Sequence, residues 1–203
     1  DLYKHTDIGK KYFDLANDIM ACDIKNIVFN GPDDKLKETK FTQPAIYIVS
    51  VIIGKILIDR GLVPAMVAGH SLGEYSACTI SGSFSFENGL SLVKLRAENM
   101  QIAGKTNPGT MAAIIGMSFE DIQNICTTTS RENCLVVPAN HNSPNQIVIS
   151  GHKSAVEEAM KQARDSGARL VKELNVSGAF HSSLMYSAKD ALSEALDKTE
   201  INN

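Results

Sequence analysis

The sequence predicts an α/β protein: a parallel sheet with helices on both faces, carrying an inserted subdomain of β-α-β-β-α-β order. Three observations lead there. Ala65-Met66-Val67-Ala68-Gly69-His70 is a short apolar run of strand length, the composition of a strand buried on both faces. Segments with helical periodicity lie before and after it. Beyond residue 109 the pattern changes to strand, helix, two strands, helix and strand, the order of a ferredoxin-like unit. The 203 residues are 43% apolar and 21% charged, an ordinary globular balance that excludes disorder and low-complexity architecture. A chain of this length buries roughly 70% of its unfolded surface and needs no covalent staple.

Ile8, Tyr12, Leu15 and Ile19 recur at helical spacing, so the first segment is an amphipathic helix with Thr6 or Asp7 near its cap. Asn30-Gly31-Pro32 ends the next short helix, and Asp33–Lys40 reads as a charged, solvated loop. Pro44 suits the first turn of a helix, where its missing N–H costs nothing. From Ala45 to Ile58 that helix is apolar on nearly every side, which predicts burial, and Gly61 stops it. After the apolar run at Ala65–His70, Ser71 begins a turn and a helix follows to about Ile80, before Gly82. Ser85 caps another, whose Phe86, Leu90, Val93, Ala97 and Met100 trace one face. Gly104–Gly109 reads as a linker. The inserted unit then comprises strands at Met111–Met117, Leu135–Pro138, Gln146–Ser150 and Arg169–Val176. Its helices fall at Phe119–Thr128 and Ser154–Ser166, the latter with Val156, Ala159, Met160 and Ala163 on its face. Residues 1–104 and 179–203 are therefore assigned to the core and 105–178 to the subdomain.

Net charge is −3 and no basic block stands out, so nucleic acid is not an expected partner. Cys22, Cys78, Cys126 and Cys134 lie far apart without Cys-x-x-Cys spacing, which predicts reduced thiols and a cytoplasmic setting. The apolar stretch Ala45–Gly54 falls short of the ~20 residues of a membrane span, and the polar opening to Lys11 is unlike a secretory signal. A soluble protein without membrane association is expected.

The chemistry concentrates in Gly69-His70-Ser71-Leu72-Gly73. A bare Gly-x-Ser-x-Gly is a weak signal, but here it stands where an apolar run gives way to a helix, the setting of a nucleophile elbow. The sharp turn puts the serine at a strained apex, with glycines allowing the close approach. The helix that follows aims N–H groups and a positive dipole end at Ser71, and the Leu72 N–H is a natural oxyanion donor. A serine nucleophile needs a base. Of the five histidines, His5, His70, His141, His152 and His181, the last is the strongest candidate, since it follows the turn Ser177-Gly178-Ala179. His181 as a surface or capping residue remains the alternative. Arg96, beside an apolar helix stripe, is either a snorkelling side chain or a bidentate clamp for a carboxylate or phosphate. Nothing offers metal-ligand spacing.

Gly69-His70-Ser71-Leu72-Gly73-Glu74-Tyr75 resembles the nucleophile motif of malonyl-coenzyme A:acyl carrier protein transacylases and of related polyketide synthase acyltransferase domains. Further motifs follow in that family's order: Thr42-Gln43-Pro44-Ala45, Arg96-Ala97-Glu98-x-Met100-Gln101, Gly109-Thr110-Met111-Ala112-Ala113, Ala139-Asn140-x-Asn142-Ser143-Pro144-x-Gln146, and Gly178-Ala179-Phe180-His181. The resemblance implies a hydrolase-like α/β core with a ferredoxin-like insert. It implies a malonyl transfer from malonyl-coenzyme A to the phosphopantetheine thiol of acyl carrier protein, in fatty acid or polyketide biosynthesis. Ser71 would take the acyl group and His181 would be its base, with no cofactor.

Within the same resemblance, Arg96 would hold the malonyl carboxylate. Met100, Asn142, Phe180, Gln43, His70 and Leu72 would line the substrate site, and the bulky Phe180 with Leu72 resembles malonyl-selective members. It also implies that the chain lacks the family's first strand, which ends in Gly-Gln-Gly, and its C-terminal quarter. The expected form is a monomer or one domain of a larger chain. Two other functions stay open: a non-catalytic fragment that binds carrier protein or coenzyme A, and a serine esterase-like hydrolase. For the latter, Asp165 and Glu173 lie between Ser71 and His181 in the chain.

Overall fold

The computed structural model describes residues 2–202, so Asp1 and Asn203, the ends of the expected core, lie outside the described residues. The chain divides into two compact units, Asp1–Glu98 with Ala191–Asn203, and Asn99–Asp190. The protein is α/β but mostly helical, and its sheet is small and antiparallel.

The first unit is built from helices α1 (Leu2–His5), α2 (Asp7–Met20), α3 (Ile24–Asn30), α4 (Asp33–Leu36), α5 (Thr39–Asp59), α6 (Gly73–Ser81) and the first part of α7 (Phe86–Thr106). Thr6 caps α2 as expected, its hydroxyl accepting from the Gly9 N–H at 2.9 Å. The most deeply buried stripe of α2 is Phe13, Ala16 and Met20, with Ile8, Tyr12, Leu15 and Ile19 partly buried along its flank. Asp33–Lys40 is no loop. It folds as α4 and the start of α5, so Pro44 stands in the second turn of α5 instead of the first. The Thr42 hydroxyl supports that earlier start by donating to the carbonyls of Leu36 (2.5 Å) and Glu38 (3.1 Å).

α5 also exceeds the apolar length read from the sequence: by length and mean hydropathy (1.8) it could cross a membrane. Its Tyr47, Ile48, Val51 and Ile52 are instead fully buried in the first core with Phe13, Ile24, Leu90 and Val93, which is the position of a core helix. The Tyr47 hydroxyl ties three helices together. It lies 2.8 Å from the Thr79 hydroxyl of α6 and donates to the Phe86 carbonyl of α7 at 3.1 Å. All five residues read as the face of α7 are buried, and Ser85 caps it, accepting from the Asn88 N–H at 3.0 Å.

The parallel sheet is the point of departure. Among the described residues the first unit contains no strand, and Ala65–His70 joins no sheet; Met66 is 91% exposed. Apolar composition alone does not make a strand, because its N–H and C=O groups need a neighbouring strand to bond.

The second unit holds β1 (Thr110–Ile115), α8 (Phe119–Thr129), β2 (Val136–Ser143), β3 (Gln146–Gly151), α9 (Lys153–Asp165), β4 (Leu170–Glu173), a 3-10 helix at Ser183–Ala188 and the start of α10 (Lys189–Lys198). The β-α-β-β-α-β order is that expected. The strands form one antiparallel sheet in the order β2-β3-β1-β4, with Ala112 opposite Ile149 and Glu173. α8 and α9 bury Ile122, Cys126, Val156 and Ala159 against Ala112, Ile114, Ile147 and Ile149. Burial pushes the Cys126 thiol up to about 12. The expected linker at Gly104 is helical instead. α7 runs on to Thr106, and Ser177 packs so close to Gly104 that its carbonyl oxygen would meet a Cβ there at 2.7 Å. The two compact units divide inside α7, between Glu98 and Asn99, and inside α10, between Asp190 and Ala191.

Tyr47→Phe should lower stability by about 0.5–1.5 kcal/mol, since it removes the phenol's bonds to the Thr79 hydroxyl and the Phe86 carbonyl. Urea unfolding of the purified chain measures this; no change in midpoint would mean that packing alone holds the three helices.

Candidate active site

Ser71 has the strained apex geometry that the elbow reading requires. Its φ is +52°, in the left-handed region that non-glycine residues rarely occupy. The two flanking glycines are not equivalent. A Cβ on Gly69 would lie 1.9–2.2 Å from backbone atoms of Gly73 and Glu74, so only glycine fits, whereas a Cβ on Gly73 would meet nothing within 4 Å. The N–H groups of Gly73, Glu74 and Tyr75 donate to the carbonyls of His70 (2.9 Å), Ser71 (3.3 Å) and Leu72 (3.1 Å), which starts α6. The Leu72 N–H lies outside these bonds, at the helix N-terminus beside Ser71. The Leu72 side chain is 8% exposed and belongs to the first core, so what it can offer a ligand is its N–H.

Arg96 reaches this apex from α7. Its Nη2 donates to the Ser71 hydroxyl at 2.9 Å, and its Nη1 donates to Oε1 of the buried Gln43 on α5. Of the two readings the sequence left open, the guanidinium is thus held by polar partners and does not snorkel. Its Cζ also lies 5.8 Å from the ring centroid of Tyr75, within cation–π range. Burial lowers the Arg96 pKa, opposed by Tyr75 and Glu74; arginine nonetheless stays charged at neutral pH. Burial likewise raises the Tyr75 phenol, with the Arg96 charge pulling the other way. The first unit therefore brings together Ser71, Gln43 and Arg96, a hydroxyl and a cation at hydrogen-bond distance. Tyr75 escaped the sequence reading as a site residue. The only signal for it was its place four residues after Ser71, one turn along.

Of the other expected site residues, Met100, Asn142, Phe180 and His181 belong to the second unit. Met100 is buried with Ala103, Met185 and Ala188, and Phe180 packs against this cluster. His181 follows it directly, exposed, with φ +61°. Asn142 stands apart on the irregular end of β2, where its side-chain amide donates to Gln146 Oε1 at 3.2 Å. His70 is exposed on the first unit, at the elbow itself. Glu173, one of the carboxylates weighed for a hydrolase, accepts from the Thr110 hydroxyl at 2.9 Å within the second sheet.

Comparison with known proteins adds the following. A family model described as an acyl transferase domain matches residues 2–203. The malonyl CoA-acyl carrier protein transacylase of Bacillus subtilis (strain 168) is 37% identical over 203 residues, all of this chain and 64% of that protein. Among solved structures, the corresponding transacylase of Coxiella burnetii superimposes with a TM-score of 0.94 at 38% identity, covering 99% of this chain and 64% of the other. A malonyl-transacylase in complex with its type II PKS acyl-carrier protein matches with a TM-score of 0.94 at 37% identity, over 100% of this chain and 65% of that one. The chain thus spans a little under two thirds of the length of these relatives.

The asymmetry of the two glycines is testable. Gly69→Ala should destabilise the fold by more than ~2 kcal/mol, since backbone must shift to admit the methyl group. Gly73→Ala should be neutral or slightly stabilising, because alanine favours helix and finds open space. Thermal unfolding of both variants distinguishes them; equal effects would contradict the close approach at Gly69.

Proposed function

This chain belongs to the malonyl CoA-acyl carrier protein transacylase family of acyl transferase domains, and on that premise we propose that it carries malonyl groups on Ser71. The Ser71 hydroxyl, giving its proton to His181, attacks the thioester carbonyl of malonyl-coenzyme A. The oxyanion rests against the Leu72 N–H and the helix N-terminus. The C–S bond breaks, coenzyme A leaves as its thiol with the proton returned by His181, and a malonyl-serine ester remains. The phosphopantetheine thiol of acyl carrier protein then attacks that ester, passes its proton to His181, and Ser71 is regenerated. In this reading the chain serves fatty acid or polyketide biosynthesis, in the cytoplasm.

One observation carries the choice of a malonyl group: the Arg96 guanidinium bonded to the nucleophile itself. A malonyl carboxylate lies one methylene from its thioester carbonyl, so its receptor must stand beside the serine. Placing that charge in a partly desolvated site is costly unless a cation meets it. Arginine meets both oxygens at once. Gln43 anchors the far side of the guanidinium, while Met100, Phe180 and Asn142 complete the acyl pocket in this reading. The carrier-protein complex of a relative supports acyl carrier protein as acceptor. Residues 1–104 with 179–203 form the acyltransferase core and 105–178 the insert. A second reading, a chain that binds but does not turn over, is kept open by the chain's covering only 64% of its Bacillus subtilis relative.

Mass spectrometry after incubation with malonyl-coenzyme A separates these readings. Wild type should gain one malonyl group and Ser71→Ala none, with its unfolding transition unchanged; an unlabelled wild type would leave the binding-only reading. His181→Ala should slow both half-reactions by about 10²–10⁴-fold, the usual worth of a general base. Loss in the second half-reaction alone would assign the base to another group.

Arg96→Ala should lower kcat/KM for malonyl-coenzyme A about 10²-fold more than for acetyl-coenzyme A, whose acyl group brings no charge to the site. Equal losses on both substrates would show that Arg96 supports the elbow and does not receive the carboxylate.

A further inference from the structure

We infer that Gln43 is the positioning residue of the carboxylate receptor: its uncharged amide fixes the Arg96 guanidinium from α5 and leaves that guanidinium's charge to an acyl carboxylate. The inference deepens the reading of Arg96 as that receptor and rests on it. A guanidinium carries donors only, in a planar fork, and bidentate contact works only if the plane is set in advance. Arg96 ends a flexible stem on α7, and its head is bonded to two acceptors. Nη2 donates to the Ser71 hydroxyl at 2.9 Å, and Nη1 donates to Gln43 Oε1. The two partners differ once a carboxylate arrives. Ser71 must turn its oxygen to the thioester carbonyl, whereas Gln43 takes no part in the reaction and keeps its bond throughout.

Gln43 is built to stay in place. It is 8% exposed and lies one turn before Tyr47, whose hydroxyl bonds α5 to Thr79 of α6 and to the Phe86 carbonyl of α7. A buried amide is costly without a hydrogen bond, so the guanidinium holds Gln43 as Gln43 holds it. Because Arg96 offers donors alone, the amide must present its oxygen, which fixes the orientation of the whole group. Its neutrality matters as much as its place. Glutamate has the same length and would accept the same N–H, but its charge would neutralise the guanidinium and repel an incoming carboxylate. The acidic group felt by Arg96 is Glu74, exposed on α6, and it forms no ion pair with Arg96 among the described residues. Ser71, Gln43 and Tyr75, the side chains about the guanidinium, are all uncharged, so a carboxylate is the ligand that completes it.

The test titrates malonyl- and acetyl-coenzyme A into Ser71→Ala protein, which has no hydroxyl to acylate. The same titrations are made with Gln43→Leu, Gln43→Glu or Arg96→Ala added, and calorimetry reads Kd without turnover. The Ser71→Ala protein should bind malonyl-coenzyme A more tightly than acetyl-coenzyme A. Gln43→Leu, which removes the acceptor and keeps the charge, should shrink that preference about tenfold, the worth of one hydrogen bond to a charged group. Gln43→Glu, which keeps the acceptor and cancels the charge, should shrink it about 10²-fold, the effect of bringing like charges together. Binding of acetyl-coenzyme A should hardly change in either. The order is diagnostic, since a glutamine that only filled space would be replaced better by glutamate than by leucine. If Arg96→Ala loses the preference but Gln43→Glu keeps it, or loses less of it than Gln43→Leu, the inference is overturned and the receptor reading stands. Should Gln43→Glu fail to fold, Gln43→Leu decides alone, and an unchanged preference overturns the inference. If Arg96→Ala leaves the preference unchanged, the receptor reading fails and this inference with it.

Discussion

The Tyr47 hydroxyl is the contact on which the geometry of the first unit depends. It is buried between α5, α6 and α7, bonded to Thr79 and to the Phe86 carbonyl. Its place is so tight that a Cβ on Gly89 would fall 2.2 Å from the phenol oxygen. A buried hydroxyl without partners costs far more than a satisfied one gains, so the three helices meet in one arrangement and not in a family of slipped ones. Gln43 lies one turn before Tyr47 on α5, Tyr75 one turn before Thr79 on α6, and Arg96 further along α7 from Phe86. The residues around the guanidinium are thereby set by a bond that none of them makes.

Strain and charge meet at Ser71. A left-handed serine costs of order 1–3 kcal/mol, and it persists because the neighbouring structure leaves no alternative. Gly69 lies against Gly73 and Glu74, and the N–H groups of the turn already bond into the first turn of α6. The same turn directs a helix N-terminus and a guanidinium toward one hydroxyl. Both features favour negative charge at that oxygen. The burial that lowers the Arg96 pKa is also what strengthens its attraction for an anion, since fewer waters compete for its donors.

The second unit obeys a different constraint. Its sheet and two helices close their own core around Ile114, Ile122, Ile147, Ile149 and Val156, each essentially inaccessible to solvent. Antiparallel pairing across four strands satisfies its backbone internally. The first unit satisfies its backbone through helices, and its one extended apolar segment, Ala65–His70, lacks that pairing.

What was legible in the sequence was whatever has a local period or a local cap. The α7 face from Phe86 to Met100, the Thr6 and Ser85 caps, the β-α-β-β-α-β order and the strained serine between Gly69 and Gly73 all follow from residues a few positions apart. Family membership was also legible, since collinear motifs survive in the chain whatever their surroundings. The features decided by tertiary structure each depend on a distant partner. Gly104 must be glycine because Ser177 passes it closely, and α5 is a core helix because the other helices cover Tyr47 and Ile52. Ala65–His70 is no strand because no described strand lies beside it to form a ladder. The meeting of Gln43, Ser71, Tyr75 and Arg96 belongs to the same class, because three helices must first pack before a guanidinium can reach across them.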